Sequence, residues 1–573
     1  MTELLTTISL IFIIAGPFLL IANRFKLPTV PFLIIAGVVG GFFIDETLTF
    51  ELAQYGIALL IFTFGVGIDP TSFRPVLSDS EIAAFGQILV VGGLGFALGL
   101  LFGISTGEAI FLGIAVAFSS TIVGTALLEF ELRENLVRAR LAQTIQFIQD
   151  LLAIAILLVL GAGTLAAEPI ATQFGFGIAL LIVALLTHRY LFETLGRLAG
   201  ESDELLMIGV VSLLVVFLAT SELAGVSIAV GAFAAGIAVR HDPVEHLELF
   251  NGIFSIRDFF VAIFFVTIGA LVVVPFIELG WAASIGKLLL VACLVVLTAV
   301  IKPLVTTAIL LYKGYEARSA TLTSLSIDQV SEFALIIAIE ALILGLLTQD
   351  VFGAIILAAV VTMITSSLTQ YYNEHIYRAV AERGLVPERH EKIDELSHIT
   401  ECCVDHIIIA GYGRKGQQLV EACEDQNQPY LVIENDPALF DVVSSNCDAY
   451  VFGDAMDRYT WEKANITDAN LVISTVNSDP VSYRLLSFEF DVDVILRSDD
   501  IETALDLFDN GAIYVSVSEF LASEQLVQHL QELFEGNFTP EQLREQQLSE
   551  LEEYASTLHR RTQDELEWIH DPD

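Results

Sequence analysis

Gln143–Thr144–Ile145–Gln146–Phe147–Ile148–Gln149–Asp150–Leu151–Leu152 lies inside an apolar run, residues 141–162. A helix of roughly 17–25 mainly apolar residues is long enough to cross a bilayer. On such a helix Gln143, Gln146, Gln149 and Asp150 share one face, by three- and four-residue spacing. That face is too polar for lipid and must line protein or water. An ionisable group at mid-membrane marks a functional site, and a desolvated carboxylate there can trade a proton for a cation near neutral pH. The structural alternative is a carboxylate paired with a base. Lys302, deep in the run 284–311 and just before Pro303, is the candidate partner. It would pair with Asp150 when the cation is absent, neutralise a carboxylate permanently, or snorkel to the cytoplasmic face.

Working outward, the sequence up to Tyr372 holds about thirteen such runs. They lie near 4–22, 30–45, 51–68, 82–103, 107–129, 141–162, 170–188, 204–221, 224–239, 256–275, 284–311, 319–344 and 350–371. The odd-numbered loops between them carry Arg24, Lys26, Arg74, Arg133, Arg138, Arg140, Arg189, Arg197, Arg240, Arg257, Lys313 and Arg318, while the even loops carry little that is basic, Lys287 being the exception. Positive loops stay cytoplasmic, so the N-terminus is expected outside and the C-terminus inside, with the protein multi-pass in the cell membrane. The N-terminus lacks the basic n-region of a signal peptide and reads as a first span.

The third run ends Leu60–Ile61–Phe62–Thr63–Phe64–Gly65–Val66–Gly67 and the tenth reads Phe264–Phe265–Val266–Thr267–Ile268–Gly269–Ala270–Leu271. Seven runs apart, they point opposite ways. That predicts two inverted-topology units, runs two to six and nine to thirteen, a mark of secondary transporters. At matching places in the two units polarity interrupts the apolar pattern. The fifth run carries Ala117–Phe118–Ser119–Ser120–Thr121, with Gly113 and Gly124 around it, and the twelfth carries Ser324–Leu325–Ser326–Ile327–Asp328–Gln329–Val330–Ser331–Glu332–Phe333. Such a pair predicts two discontinuous, crossing helices whose free carbonyls and half-helix ends face an ion site.

Gln149–Asp150, Ser119–Ser120–Thr121 and Gln329–Val330–Ser331–Glu332–Phe333 together resemble the monovalent cation:proton antiporter-2 family, and within it the Kef-type potassium efflux systems. The resemblance covers about residues 5–530. It implies that Asp150 carries the ion and that a Gln at position 149 goes with potassium. It also implies a homodimer, with spans four to six and eleven to thirteen moving against a scaffold of spans one to three and eight to ten. Ser331, where many members have Gly, and the extra acid Asp328 depart from the family pattern. The ion-site candidates are therefore Asp150, Gln149, Ser119, Ser120, Thr121, Glu332, Lys302 and Asp328.

Beyond the membrane part, residues 376–404 read as a linker, 405–530 as a Rossmann-like α/β domain and 531–573 as an acidic tail. A buried strand, 405–410, runs into Gly411–Tyr412–Gly413–Arg414–Lys415–Gly416 and then a helix. Strand, glycine turn and helix are the context of a dinucleotide fingerprint, in which the helix N-terminus receives phosphate. The next strand ends in Glu434–Asn435, where an acid contacts a ribose with a free 2′-hydroxyl. This part resembles the TrkA-N domain of potassium-conductance regulators. That likeness places Gly453, Asp454 and Ala455 beside the nucleotide and Arg497 at a phosphate, with NAD(H), AMP or ATP as the regulatory ligand.

The chain has 573 residues, 54% of them hydrophobic, and carries 70 acidic against 27 basic side chains, a net charge of −43. Such a surface repels nucleic acid and resembles those of proteins from salt-loving organisms, where salt screens the self-repulsion. The five cysteines lack metal-ligand spacing. The fold expected is an all-α polytopic membrane domain plus a cytoplasmic Rossmann-like domain. The function expected is exchange of potassium or sodium for protons, regulated by nucleotide, with membrane lipid as the surroundings. Two rivals stand beside it. A nucleotide-gated potassium channel would carry current without obligatory proton flux. A membrane-tethered NAD-dependent enzyme would need a catalytic acid or base that the sequence does not supply.

Overall fold

The structure is a computed structural model. It describes residues 2–549 except 26, 44–45, 68–76, 130–131, 133–136, 163–166, 193–202, 240–246, 314, 385–390, 400–403, 437–438, 537–538 and 546. Lys26, Arg74, Arg133, Arg197, Arg240, Cys402–Cys403 and most of the acidic tail lie outside the described residues. The chain forms two compact units that part between Lys392 and Ile393.

Among the described residues, the regular elements of the first unit are all helices. Its spans are α1 (Thr2–Arg24), α2 (Thr29–Gly40), α3 (Glu46–Val66), α4 (Leu77–Leu101), α5 (Thr106–Ala117) with α6 (Thr121–Leu127), α7 (Val137–Gly161), α8 (Ala167–Leu186), α9 (Asp203–Leu223), α10 (Ile228–Ala238), α11 (Leu247–Ala270), α12 (Trp281–Val296) with α13 (Lys302–Lys313), α14 (Ala317–Leu325) with α15 (Glu332–Ile343), and α16 (Gln349–Tyr371). Each of the thirteen expected runs falls mainly on helix among the described residues. Nine helical segments are long and apolar enough to cross a membrane, and three shorter apolar helices join them, among the described residues. Large apolar side chains such as Ile13, Leu101 and Leu223 stand exposed on this unit, as lipid contact requires. The fifth and twelfth spans are broken where polarity interrupts them, at 118–120 and 326–331. The seventh and eleventh spans contain π-helical turns, Thr187–Leu191 and Leu297–Ile301. The second of these ends directly at Lys302.

Glycine contacts expose the inverted repeat. A Cβ on Gly269 of α11 would lie 2.1 Å from the Ile34 carbonyl oxygen, and one on Gly37 of α2 would lie 2.1 Å from that of Val266. On the other side, a Cβ on Gly65 of α3 would lie 2.7 Å from the Phe233 oxygen, and one on Gly236 of α10 would lie 2.2 Å from that of Phe62. Each repeat's second span thus crosses the other repeat's first span, backbone against backbone. Thr29 to Gly37 and Ile228 to Gly236 are the same distance along their helices. Thr63 and Thr267 complete the match, each donating its hydroxyl to the carbonyl three residues back, Leu60 at 2.9 Å and Phe264 at 2.7 Å.

The second unit is a six-stranded parallel sheet in the order β3-β2-β1-β4-β5-β6. Its strands are β1 (His406–Ala410), β2 (Tyr430–Glu434), β3 (Tyr450–Phe452), β4 (Ala469–Ser474), β5 (Asp493–Ser498) and β6 (Tyr514–Val517). Ile408 and Leu431 pack with Trp461 on one face, and Ile409 and Val432 pack with Val420 and Val443 on the other. That is the two-residue period of a strand buried on both faces. The strand order reverses between β1 and β4, and the crevice at such a point is where open α/β sheets bind ligands. The expected boundary at 405 is late. Ile393 is already buried in this unit's core, and His398 pairs with Tyr450 beyond the edge of the sheet. At the other end a helix, Ser518–Glu535, runs across the expected start of the tail.

Candidate functional site

Both breaks begin where a half-helix runs out of partners. Ser120 caps α6, its hydroxyl accepting the Val123 amide at 3.1 Å, and Ser331 caps α15 through the Phe333 amide at 3.0 Å. The first helical residues after these caps are Thr121 and Glu332. Phe118–Ser119–Ser120–Thr121 therefore stands in the place of Gln329–Val330–Ser331–Glu332. The two segments cross, since the Ser119 hydroxyl donates to the Ile327 carbonyl at 2.9 Å and the Gln329 amide donates to that of Ser120 at 3.1 Å.

Two charged side chains serve the crossing from opposite ends. Lys302 is wholly buried, and its Nζ donates to the Phe118 carbonyl at 3.2 Å and the Gln329 carbonyl at 2.7 Å. These are the equivalent carbonyls of the two breaks, each two residues before the capping serine. Glu332 begins α15, and its Oε1 also accepts the Ile122 amide of α6 at 2.9 Å. One carboxylate thus faces the positive ends of two half-helices. Two of the three roles expected for Lys302 do not appear among the described residues: it does not snorkel, being fully buried, and no ion pair joins it to Asp150.

Asp150 lies in α7 beside this crossing with no exposed surface. Its Oδ2 accepts the Thr121 hydroxyl at 2.6 Å, and its Oδ1 has no partner among the described residues. Around it, Gln149 Oε1 accepts the Ser119 amide at 2.8 Å and Gln146 Nε2 donates to the Ser120 carbonyl at 2.7 Å. Gln146 Oε1 is left without a partner. A buried carboxyl oxygen and an amide oxygen with no donors are what a proton or a dehydrated monovalent cation would satisfy. Asp150, Gln149, Ser119, Ser120, Thr121, Glu332 and Lys302 therefore come together, while Asp328 sits in the second break on the side of Ser366 and Thr369.

Several participants escape a reading by motif. Gln87 donates to the Ala117 carbonyl at the end of α5 at 2.7 Å and accepts the Thr306 hydroxyl at 2.9 Å. On α16, Thr362 receives the Val330 amide at 3.2 Å and Ser366 donates to Gln329 Oε1 at 3.1 Å. The available signal was buried-type spacing of small polar residues, Thr362, Ser366 and Thr369, within an apolar span.

In the second unit Gly411 adopts φ +92°, in the region that favours glycine. A Cβ on Gly416 would lie 2.0 Å from the Gly411 carbonyl oxygen, whereas one on Gly413 would meet nothing within 4 Å. The turn is therefore closed toward the sheet and open where a ligand would approach. The helix Arg414–Asp425 presents its N-terminus to that opening. Glu434 binds the turn itself, its Oε2 accepting the Tyr412 amide at 2.7 Å and its Oε1 the Asn435 amide at 2.8 Å. Asp454 receives the Met456 amide at 2.9 Å, and the Gly453 amide donates to the Glu434 carbonyl at 2.8 Å. Lys415 lies beside Arg497, and burial together with that like charge pushes its ammonium below the usual lysine range. Two cations side by side at a helix N-terminus suit a phosphate. The Tyr412 ring is not offered to a ligand: it is buried against Cys447, whose thiol burial pushes up to about 11. Thr475, which donates to the Gly411 carbonyl at 3.1 Å, was not foreseen.

Comparison with known proteins places these two sites in context. Residues 8–372 match the transmembrane sodium/hydrogen exchanger family, and residues 407–515 match the TrkA-N domain. The chain is 27% identical over 495 residues to YbaL of Escherichia coli (strain K12), described as a cation/proton antiporter, covering 83% of this chain and 87% of that one. It is 27% identical over 510 residues to KefB of Alkalimonas amylolytica, described as a K(+) efflux antiporter, covering 85% of this chain and 74% of that one. In three dimensions it is similar to the sodium proton antiporter MjNhaP1 from Methanocaldococcus jannaschii. The TM-score is 0.51 at 16% identity, over 66% of this chain and 98% of that one.

Proposed function

We propose that this chain, which belongs to the sodium/hydrogen exchanger family and is a cation/proton antiporter with a TrkA-N domain, exchanges potassium in preference to sodium for protons, with Asp150 as the carrier. One observation carries the reading: Asp150 is wholly buried at the helix crossing with one oxygen bound only by Thr121 and the other without a partner. Such a carboxyl is satisfied either by a proton or by a cation, and the two exclude each other. Gln149, Gln146 and Thr121 supply the surrounding oxygens. A single carrier implies one-for-one exchange.

An elevator motion fits the packing. Spans two, three, nine and ten are locked by the glycine crossings, while spans five, six, eleven, twelve and thirteen are tied together by the bonds around the breaks. Between these groups Phe64 of α3 meets Phe147 and Phe333 at 6.2 and 5.1 Å between ring centroids, an apolar contact with no hydrogen bond to break. We read the protein as a homodimer of the cell membrane with its N-terminus outside. NAD(H), AMP or ATP would bind at Gly411–Gly416 with Glu434 toward the ribose and Arg497 and Lys415 toward phosphate. The nucleotide regulates only if it binds two states of the protein unequally.

The test is proton movement into proteoliposomes loaded with a pH dye after adding potassium or sodium, for the wild type and Asp150→Asn. Cation-driven proton flux that the variant lacks supports the antiporter with Asp150 at its site. Cation flux without proton movement overturns exchange and favours a gated channel.

A further inference from the structure

We propose that Asp328 is the fixed counter-ion of Lys302, that it thereby keeps Asp150 free of any resident positive charge, and that it so sets how tightly the transported cation is held. The inference rests on Asp150 being the carrier and goes beyond it by assigning the second buried acid of the twelfth span.

The argument starts from a deficit. Asp328 has no exposed surface, and neither of its carboxyl oxygens has a hydrogen bond among the described residues. The hydroxyls of Ser366 and Thr369 lie beside it. Each has one proton, however, and spends it elsewhere, Ser366 on Gln329 Oε1 at 3.1 Å and Thr369 on the Thr365 carbonyl at 3.0 Å. A buried carboxylate with no donor is unfavourable unless a charge compensates it.

That charge is next to it in the fold. The Lys302 ammonium is bound 2.7 Å from the carbonyl of Gln329, the residue following Asp328. Among the described acids, Asp328 lies in electrostatic reach of Lys302, and Glu332 lies in reach of Asp150. The buried charges thus sort into two groups. Lys302 and Asp328 neutralise each other behind the crossing, and Asp150 faces the crossing from α7 with Glu332 across it. The carbonyl clamp holds the ammonium between the two breaks, where it meets a carbonyl of each. Without Asp328 that positive field would fall on Asp150 and oppose an incoming cation.

The experiment measures half-saturating potassium and maximal rate in the proteoliposome proton-flux assay for Asp328→Asn, Asp328→Glu, Lys302→Gln and the double variant Asp328→Asn/Lys302→Gln. Glutamine keeps N–H donors for the two carbonyls while removing the charge. Asp328→Asn is expected to raise half-saturating potassium about tenfold, as an uncompensated unit charge at close range does, with the maximal rate largely kept. Asp328→Glu should stay near wild type, and the double variant should return toward wild type. Wild-type half-saturation in Asp328→Asn, or a double variant whose effect is the product of the two singles, overturns the proposal. Should Asp328→Asn not yield folded protein, the melting temperature of the double variant reads the same coupling: recovery supports the pair and further loss overturns it. Transport by Asp150→Asn would instead sink the carrier reading. A dead Asp150→Asn with an unaffected Asp328→Asn would sink this proposal alone.

Discussion

The two helix breaks end on the same serine cap and carry opposite chemistry. At 118–121 the segment is Phe118–Ser119–Ser120–Thr121, with no ionisable group. At 329–332 it is Gln329–Val330–Ser331–Glu332, with Asp328 just before it. In both, a serine caps the second half-helix and a carbonyl meets Lys302. Yet the groups that neutralise the crossing, Lys302 and Glu332, both come from the second repeat, while the proposed carrier Asp150 comes from the first. Duplication therefore accounts for the scaffold of the site and divergence for its charge. One glutamate serves two half-helix N-termini because the crossing brings them together, so the first repeat needed no acid of its own.

The largest test of that asymmetry is Glu332→Ala. It strips an acceptor from the Ile122 amide and leaves two positive helix ends uncompensated. The purified protein should lose about 2–3 kcal/mol of stability, the worth of a buried charge-assisted hydrogen bond, and transport should fall to background. Little change in thermal unfolding would mean the crossing does not need the glutamate. Next come Gly269→Ala and Gly65→Ala, which push a methyl into backbone at equivalent crossings. Each should cost about 1–3 kcal/mol as overpacking does, read from thermal unfolding in detergent. A variant that is neutral at one crossing and damaging at the other would break the symmetry of the scaffold. Smallest are the caps: Ser120→Ala and Ser331→Ala should each lose about 1 kcal/mol. Unequal losses there would show that the equivalence ends at the backbone.

Much of this was legible in sequence. The thirteen apolar runs all fall mainly on helix among the described residues, the two polar interruptions contain the two breaks, and Gly411–Gly416 followed by Glu434 form the turn and the strand end that meets it. The failures are instructive. For Lys302 a pair with Asp150, a permanent neutralising role and snorkelling all stood open, because its position along one span says nothing about what crosses above it. Tyr412 sat inside the glycine motif, yet its ring turns into the hydrophobic core. Ile393 and His398 looked like linker because an isolated apolar residue and a single bridge leave no periodic trace.

The sequence by itself determined the elements, since hydrophobic runs, alternation, glycines and caps are local properties that act within a few residues. It also determined which residues were out of place in lipid, because an acid or lysine in an apolar run is costly wherever the run goes. Only the tertiary structure decided the site. Ser119 meets Ile327 across 208 positions of the chain, Ile122 meets Glu332 across 210, and Lys302 meets Phe118 across 184. Contacts at that range arise when two repeats interlock, and these polar groups reach each other because the two helix breaks cross.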